Sequence, residues 1–507
     1  MSRLWVVGLW PFGAQGLWVM VAACAVGWFG IAQGAVQPLT PSERREKEAQ
    51  NERWVKAYLE RRWDEAEAAL KAILEGWPGE FIAWYNLACV YAQSGRGREA
   101  EAALERAVIS GFVDFHRMEQ DPGLAPIRSS GTYRAMIQGW RAVLDAHGEA
   151  AERAARERLG SGYIFERDER RRLIFAGGFA EVSFRRAQRS MDRVEAWWRQ
   201  HVLPPVDREA DDPDRPDPWV MVVMPTAADY RAWSDRNFGP QASRLNTIGG
   251  VYDHDRKELV AMDLGPTLRH EYLHVLHWRH MVRTGVIQPL WVQEGLCSLV
   301  EAVERDGEEG LRVVSSWRMN TVKRLQSTGL LPSWRGFFAR DADEFTRSKP
   351  LANYAVAYAI MRWLEEQGKL GEWYTAYVQG IGEDPTGARA MEAVTGEELT
   401  TAERRWREWV RAHPDVPDQH RPGRAVLPLE MEPAGDGLRV TELPRGEAAR
   451  SGIRLGDVIM EVEGREVCDL NELALALAGR GVGEPVRVGY RRGRLTGEVT
   501  LVLRAAE

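Results

Sequence analysis

Cysteine is scarce in this chain of 507 residues: there are four, at positions 24, 89, 297 and 468. They stand far apart and form no CxxC pair, which excludes a zinc ribbon, a thioredoxin-type redox centre and a dense disulfide framework. An excess of positive charge is lacking too. With 67 basic against 74 acidic residues the net charge is −7, so no nucleic-acid surface is expected. Charge of any kind is missing from the first 34 residues except at Arg3, and the run VMVAACAVGWFGIAQGA is apolar. This reads as a secretory signal, cut before Ala35 with Ala32 and Gly34 at its small-residue positions, or as an uncleaved membrane anchor. The VAAC segment ending at Cys24 is similar to a lipoprotein box, but the residues after it stay apolar where a polar tether is usual. Either way the body of the protein is expected outside the cytoplasm, in the cell envelope.

What is present is 44% hydrophobic and 28% charged, a globular balance in a chain long enough for several domains. The reading is multidomain: an α-helical repeat region over 40–150, an α+β domain over 160–412 and a β-rich domain over 425–507. In the first, EAEAAL occurs at Glu65 to Leu70 and again at Glu99 to Leu104, an offset of 34. That period, with small residues such as Ala88 where paired helices approach, resembles a tetratricopeptide array. About two repeats are expected, ending near Met136 and followed by a charged helical connector, EAAERAARERLG. Such an array acts as a stalk or a docking scaffold, and no chemistry is assigned to it.

The next region alternates strands and helices. YIFERDERRRLIFAGG alternates in polarity, RRAQRSMDRVEAWWRQHV is a helix, and LPPVDREADDPDRPDP is a solvated acidic loop. WVMVVMPT is apolar throughout and of strand length, so a buried strand. Ile248 to Asp263 reads as a hairpin or edge strand turning at His254 to Lys257.

The chemistry-bearing stretch follows. GPTLRHEYLHVLHWRHMVRTG starts at Pro266, suited to a first helical position, and stops at Gly285. Within it His270, Glu271 and His274 form HExxH, a pattern expected by composition in on the order of one chain in fifty of this length. Histidines at i and i+4 face one side of a helix about a turn apart, as a tetrahedral zinc ion requires. A second helix-like segment, WVQEGLCSLVE, carries Glu294, 20 residues after His274.

Together these residues resemble the gluzincin metallopeptidases, of the thermolysin-like and peptidase MA-like kind. There HExxH is completed by a glutamate from an apolar-Trp-x-x-Glu-Gly segment, here Trp291 to Gly295. The resemblance implies Zn2+ held by His270, His274 and Glu294. Two imidazoles and a carboxylate leave a fourth position open, where zinc can lower the pKa of water to about 7. Glu271 is then the general base, and the expected reaction is hydrolysis of a peptide bond in a protein or peptide substrate held by the edge strand Gly249 to Tyr252. His277 and His280 compete as ligands. The metzincin arrangement would need glycine at 277, and His277 lies about 10 Å along the axis from His270; both are read as packing or supporting residues. The resemblance further places an oxyanion-stabilising tyrosine at the start of YAVAYAIMRWL: Tyr354, with Tyr358 in reserve. Glu301 is expected to support a zinc histidine from outside the ligand set, with solvent exposure the competing reading. Trp406 and Trp409 are expected to pack.

The last 80 or so residues, with GLRVTEL and SGIRLGDVIMEVEG followed by a helix from Leu470 to Ala478, resemble a PDZ domain. That resemblance implies a peptide ligand added beside a strand, with Leu438, Val440, Leu473 and Leu477 lining the groove. The competing function is a non-catalytic envelope scaffold, in which repeats and PDZ domain recruit partners and the metal site is structural or degenerate.

Overall fold

The computed structural model describes residues 41–204, 217–238, 249–254, 256–307, 310–417, 423–443 and 451–506. The expected signal or anchor at 1–34 and most of the acidic loop lie outside these. Among the described residues no helix is long and apolar enough to cross a membrane.

The helical region comprises α1 (Pro41–Leu59), α2 (Trp63–Gly76), α3 (Phe81–Gln93), α4 (Gly97–Ser110), the short α5 (Phe115–Gln120) and α6 (Gly131–Leu159). The 34-residue offset has a packing cause. Ala66, Ala69 and Leu70 of α2 are buried, and so are their equivalents Ala100, Ala103 and Leu104 of α4. Small residues at the contact allow helix axes to approach closely, and α3, the most apolar of the set, is sandwiched with Ala88 at 0% exposure. The connector is not a separate piece: α6 runs unbroken for 29 residues through Met136 to Leu159.

The middle region is mixed α/β. Its sheet has the order β1-β2-β3-β5-β4, from β1 (Ile164–Asp168), β2 (Leu173–Gly177), β3 (Trp219–Val223), β4 (Gly250–Asp253) and β5 (Glu258–Ala261). β2, β3 and β5 are parallel, and β4 folds back antiparallel as the edge strand. All five residues of β2 and of β3 are buried, as expected of parallel strands covered on both faces. Helices α7 (Glu181–His201) and α8 (Ala227–Phe238) precede the hairpin; α9 (Pro266–Thr284) follows it beside β4, and α10 (Leu290–Leu299) follows α9. After the β6–β7 hairpin (Val303–Asp306, Gly310–Val313) come α11 (Arg318–Ser327), α12 (Trp334–Phe338), α13 (Ala342–Arg347), α14 (Pro350–Glu366), α15 (Leu370–Gly380), α16 (Ala388–Thr395) and α17 (Leu399–Ala412). Trp291, Trp334, Trp373 and Trp406 are all buried in one core that spans these elements. Trp409 instead lies partly exposed against that core and donates to Glu366 at 2.6 Å.

The C-terminal region is β-rich. Its main sheet runs β14-β13-β11-β10-β9, with β12 beside β11 and a separate β8–β15 pair. The strands are β8 (Ala425–Val426), β9 (Glu430–Pro433), β10 (Leu438–Glu442), β11 (Val458–Val462), β12 (Arg465–Glu466), β13 (Pro485–Arg492), β14 (Leu495–Val502) and β15 (Arg504–Ala505). Helix α18 (Leu470–Ala476) is capped by Asp469, whose carboxylate accepts from Glu472 N at 2.7 Å. The expected groove strand differs from the observed arrangement. GLRVTEL contains β10, which is hydrogen-bonded on both sides, to β9 and to β11. A strand with both edges occupied cannot accept another, so Leu438 and Val440 are core residues, at 0% and 1% exposure. The end strand of this sheet is β9. Leu473 and Leu477 of the helix segment pack into the same core.

Candidate metal centre

Two helices converge to build the centre. On α9, the 3.6-residue turn brings His270 and His274 together, their Nε2 atoms 3.2 Å apart. From α10, Glu294 Oε2 lies 3.2 Å from His270 Nε2 and 3.5 Å from His274 Nε2. Tetrahedral zinc with bonds near 2.0–2.1 Å puts its donor atoms roughly 3.3–3.4 Å apart, and the three atoms here span that spacing. All three residues are buried, and among the described residues they form a group of donors able to hold a metal ion.

The close approach of α10 to α14 depends on Gly295. A Cβ there would come within 2.9 Å of Met361 Cγ and 3.0 Å of the Ala357 carbonyl on α14. The glycine after Glu294 is therefore a packing requirement.

Around the donors, Glu301 sits just beyond α10 with Oε1 2.9 Å from His270 Nδ1. Its carboxylate also takes a forked pair from Arg318, at 2.7 and 2.6 Å. Such a partner fixes the tautomer and orientation of a ligating imidazole. On the other histidine, the Tyr252 ring of β4 lies flat against His274, centroids 4.7 Å apart and planes 6° from parallel.

Glu271 is buried beside β4, where Gly250 leaves it room. A Cβ at Gly250 would fall 2.7 Å from both Glu271 Cγ and Thr267 Cγ2. Tyr354 of α14 is half-buried, packed on Phe345 and near the Arg318 guanidinium. Tyr358 is committed elsewhere: it is fully buried and its hydroxyl accepts from Ser316 N at 2.9 Å.

Electrostatics separate the acids. Burial pushes the Glu271 carboxyl up, countered in part by the two histidines, and like charges on Glu294 and Glu301 add to the rise. For Glu294 burial acts upward as well, but His274 and hydrogen bonds from both histidines hold it well below the ordinary carboxylate range. Glu301 is likewise brought down to about 2, with Arg318 and His270 outweighing burial. His270 is pushed up to about 10 because its bonds to Glu294 and Glu301 outweigh the opposing effect of burial. The Tyr354 phenol is raised well above its ordinary value by burial, then by the charges of Glu294 and Glu271, with a hydrogen bond to Glu294 contributing.

His277 and His280 form a different cluster. His277 Nε2 is 3.0 Å from Gln288 Oε1, His280 Nδ1 is 3.0 Å from the Tyr374 hydroxyl, and Gln288 Nε2 donates to that hydroxyl at 2.8 Å. Burial and neighbouring His280 depress His277 to about 3, so a neutral imidazole hydrogen-bonded in the core accounts for it. Sequence reasoning missed Arg318, Gly250 and the Tyr252 ring stack. Gly250 and Tyr252 read in the sequence only as parts of an edge strand, and paired glycines within a strand are the one signal that could have pointed to a close approach at Gly250.

A PDZ domain model matches residues 425–503 and a tetratricopeptide repeat model matches residues 57–114. Among curated proteins, the chain is 28% identical over 103 residues to a chloroplastic protein of Arabidopsis thaliana, covering 19% of this chain and 31% of that protein. It is 36% identical over 88 residues to the magnetosome formation protease MamE of Magnetospirillum gryphiswaldense, covering 16% of this chain and 11% of that protein. The chain thus spans less than a third of the length of either relative. Among solved structures, an aminopeptidase N family protein from Idiomarina loihiensis aligns over 66% of this chain and 65% of its own at 10% identity. Its TM-score is 0.23.

Proposed function

With a tetratricopeptide-like region at one end and a PDZ domain at the other, we propose that the chain is a zinc metallopeptidase of the gluzincin kind, exported or membrane-anchored in the cell envelope. Its units are a helical region over 40–150, a catalytic domain over 160–412 and a PDZ domain over 425–507. The observation that carries this reading is the convergence of His270, His274 and Glu294 at tetrahedral spacing with Glu271 beside them. The similarity of a short stretch to a protein named as a protease supports it.

When bound, zinc supplies a Lewis acid that polarises a peptide carbonyl and acidifies water. The chain's own residues do the rest. Glu271, whose burial favours taking up a proton, accepts one from the attacking water and passes it to the departing amine. Glu271 lies outside the group of donors, and its burial carries a desolvation cost that a purely structural metal would not call for. Tyr354 donates its phenolic proton in a hydrogen bond to the oxygen on which charge develops. Glu301 and Arg318 hold His270, and Tyr252 holds His274. The edge strand β4 offers an extended peptide backbone partners next to the centre.

A scaffold reading rests on the fact that both matched family models are recruitment modules. Metal removal separates the two. Peptidase activity on a denatured-protein substrate is expected to vanish after exhaustive chelation and to return with one equivalent of Zn2+. A chain that takes up no metal, or one that cleaves equally well without it, contradicts the peptidase reading.

A further inference from the structure

The PDZ domain is packed against the start of α9, against α7 and against the β6 strand that follows α10. Leu264 N donates to Gly435 O at 2.7 Å just before α9 begins. Gly265 lies so close to the PDZ domain that a Cβ there would be 2.6 Å from Cys468 Cβ. On α7, Arg186 donates to the carbonyls of Met460 and Asp436 at 2.9 and 2.6 Å, and Ser183 Oγ to Asp436 at 2.5 Å. Beyond α10, Arg465 reaches Glu304 at 2.8 Å.

One buried side chain connects this interface to the centre. Arg269 precedes His270 on α9 and is 4% exposed. Its Nε donates to Val300 O at 2.8 Å and its Nη2 to Glu301 O at 2.8 Å. The same Nη2 donates to Glu472 Oε1 of α18 at 2.7 Å. The other oxygen of Glu472 accepts from Cys468 N at 2.7 Å. Arg269 therefore grips the backbone of the residue whose carboxylate holds His270, while a PDZ carboxylate neutralises it. A buried guanidinium deprived of its carboxylate is strongly destabilised where it stands, so it would draw in water or swing away, releasing the 300–301 carbonyls.

We propose that Glu472 is a positioning residue for the metal centre: through Arg269 it sets the place of Glu301 and so the orientation of His270. This rests on reading His270, His274 and Glu294 as a metal site. The PDZ domain is then part of the catalytic unit, beyond any peptide it recruits.

The test uses the full chain. Glu472→Gln keeps the volume but offers one acceptor to two donors. It is expected to weaken zinc binding about tenfold or more, in line with the loss of outer partners at metal sites, measured by competition with a chromophoric chelator. The visible spectrum of the Co2+-loaded chain is expected to shift, and kcat to fall with KM unchanged. Ser183→Ala, which removes an interface contact away from Arg269, is expected to keep wild-type affinity and spectrum. Arg269→Lys keeps the charge but cannot reach three acceptors, and is expected to weaken zinc as Glu472→Gln does, which covers the case where one variant fails to fold. Wild-type affinity and spectrum in folded Glu472→Gln, or an equal loss in Ser183→Ala, overturns the proposal. A wild-type chain that binds no metal overturns the metal reading itself and this proposal with it, a result distinguishable from both.

Discussion

At the scale of single residues, placement around Glu271 is a matter of available space. Gly250 is the neighbour that provides it, since a methyl group there meets Glu271 Cγ and Thr267 Cγ2 at 2.7 Å. Gly250→Ala is expected to displace the carboxylate by a fraction of an ångström to an ångström, which lowers kcat about 100-fold while bound zinc stays at the wild-type level. Steady-state kinetics beside metal analysis checks this, and an unchanged kcat would contradict it. His270, Glu271 and His274 were legible in the sequence because a helix fixes what i and i+4 face. Glu294 was legible through its spacing and its Trp291 to Gly295 surroundings. Gly250, Arg318 and Arg269 were not, because each acts on a partner that only the tertiary fold brings near.

At the scale of elements, α9 is the shared axis, and through Tyr272 it touches an ion cluster built by other elements. Glu195 on α7 takes Arg171 Nε at 2.7 Å, Arg170 Nη2 at 3.1 Å and Arg199 Nη2 at 2.9 Å, with the Tyr272 hydroxyl of α9 at 3.4 Å. Burial acts to raise its pKa, but the arginines outweigh burial and lower it from 4.5 to about 2. A depressed folded pKa stabilises the native state above the unfolded value and stops doing so as pH falls through the folded one. The window is therefore pH 4.5 down to about 2, and the contribution at neutral pH is about 3 kcal/mol. Glu195→Gln is expected to lower the denaturation midpoint at pH 7 and to flatten its fall across that acid window. A midpoint that falls as steeply as the wild type's between those values would count against this assignment.

Element order was the part of the fold least visible beforehand. The apolar pattern of β10 is that of a strand packed on a core, and it carries no mark of whether one edge or two are paired, so Leu438 and Val440 fit a groove in the sequence that β9 and β11 exclude in the fold. The charged face of residues 149–160 reads as a linker, yet it is the solvated side of the long α6. By contrast β3 and the β4–β5 hairpin were readable, because five consecutive apolar residues and a bounded turn each leave few alternatives.

At the scale of the whole molecule, the regions are joined through the same helix. Toward the helical region, the buried Lys257 in the β4–β5 turn lies 2.8 Å from Asp114, just before α5, and 2.9 Å from Asp217. Arg279 of α9 reaches Asp217 at 2.8 Å. Removing one partner of such a buried cluster costs roughly 3–5 kcal/mol. Lys257→Met is therefore expected to lower the urea midpoint and to expose the helical region to limited proteolysis, and an unchanged digestion pattern would show that the junction does not depend on this charge. Toward the other end, Arg269 and Gly265 meet the PDZ domain. The molecule thus places α9 between the tetratricopeptide-like region and the PDZ domain.

The central claim is that His270, His274 and Glu294 hold a metal for which Glu271 moves the proton. It is tested most directly by comparing wild type with Glu271→Gln on a library of denatured proteins and peptides, each preparation assayed for bound zinc. The account predicts one zinc per chain in both and cleavage by the wild type alone. Equal cleavage by the two, or no cleavage by a fully zinc-loaded wild type, would contradict it.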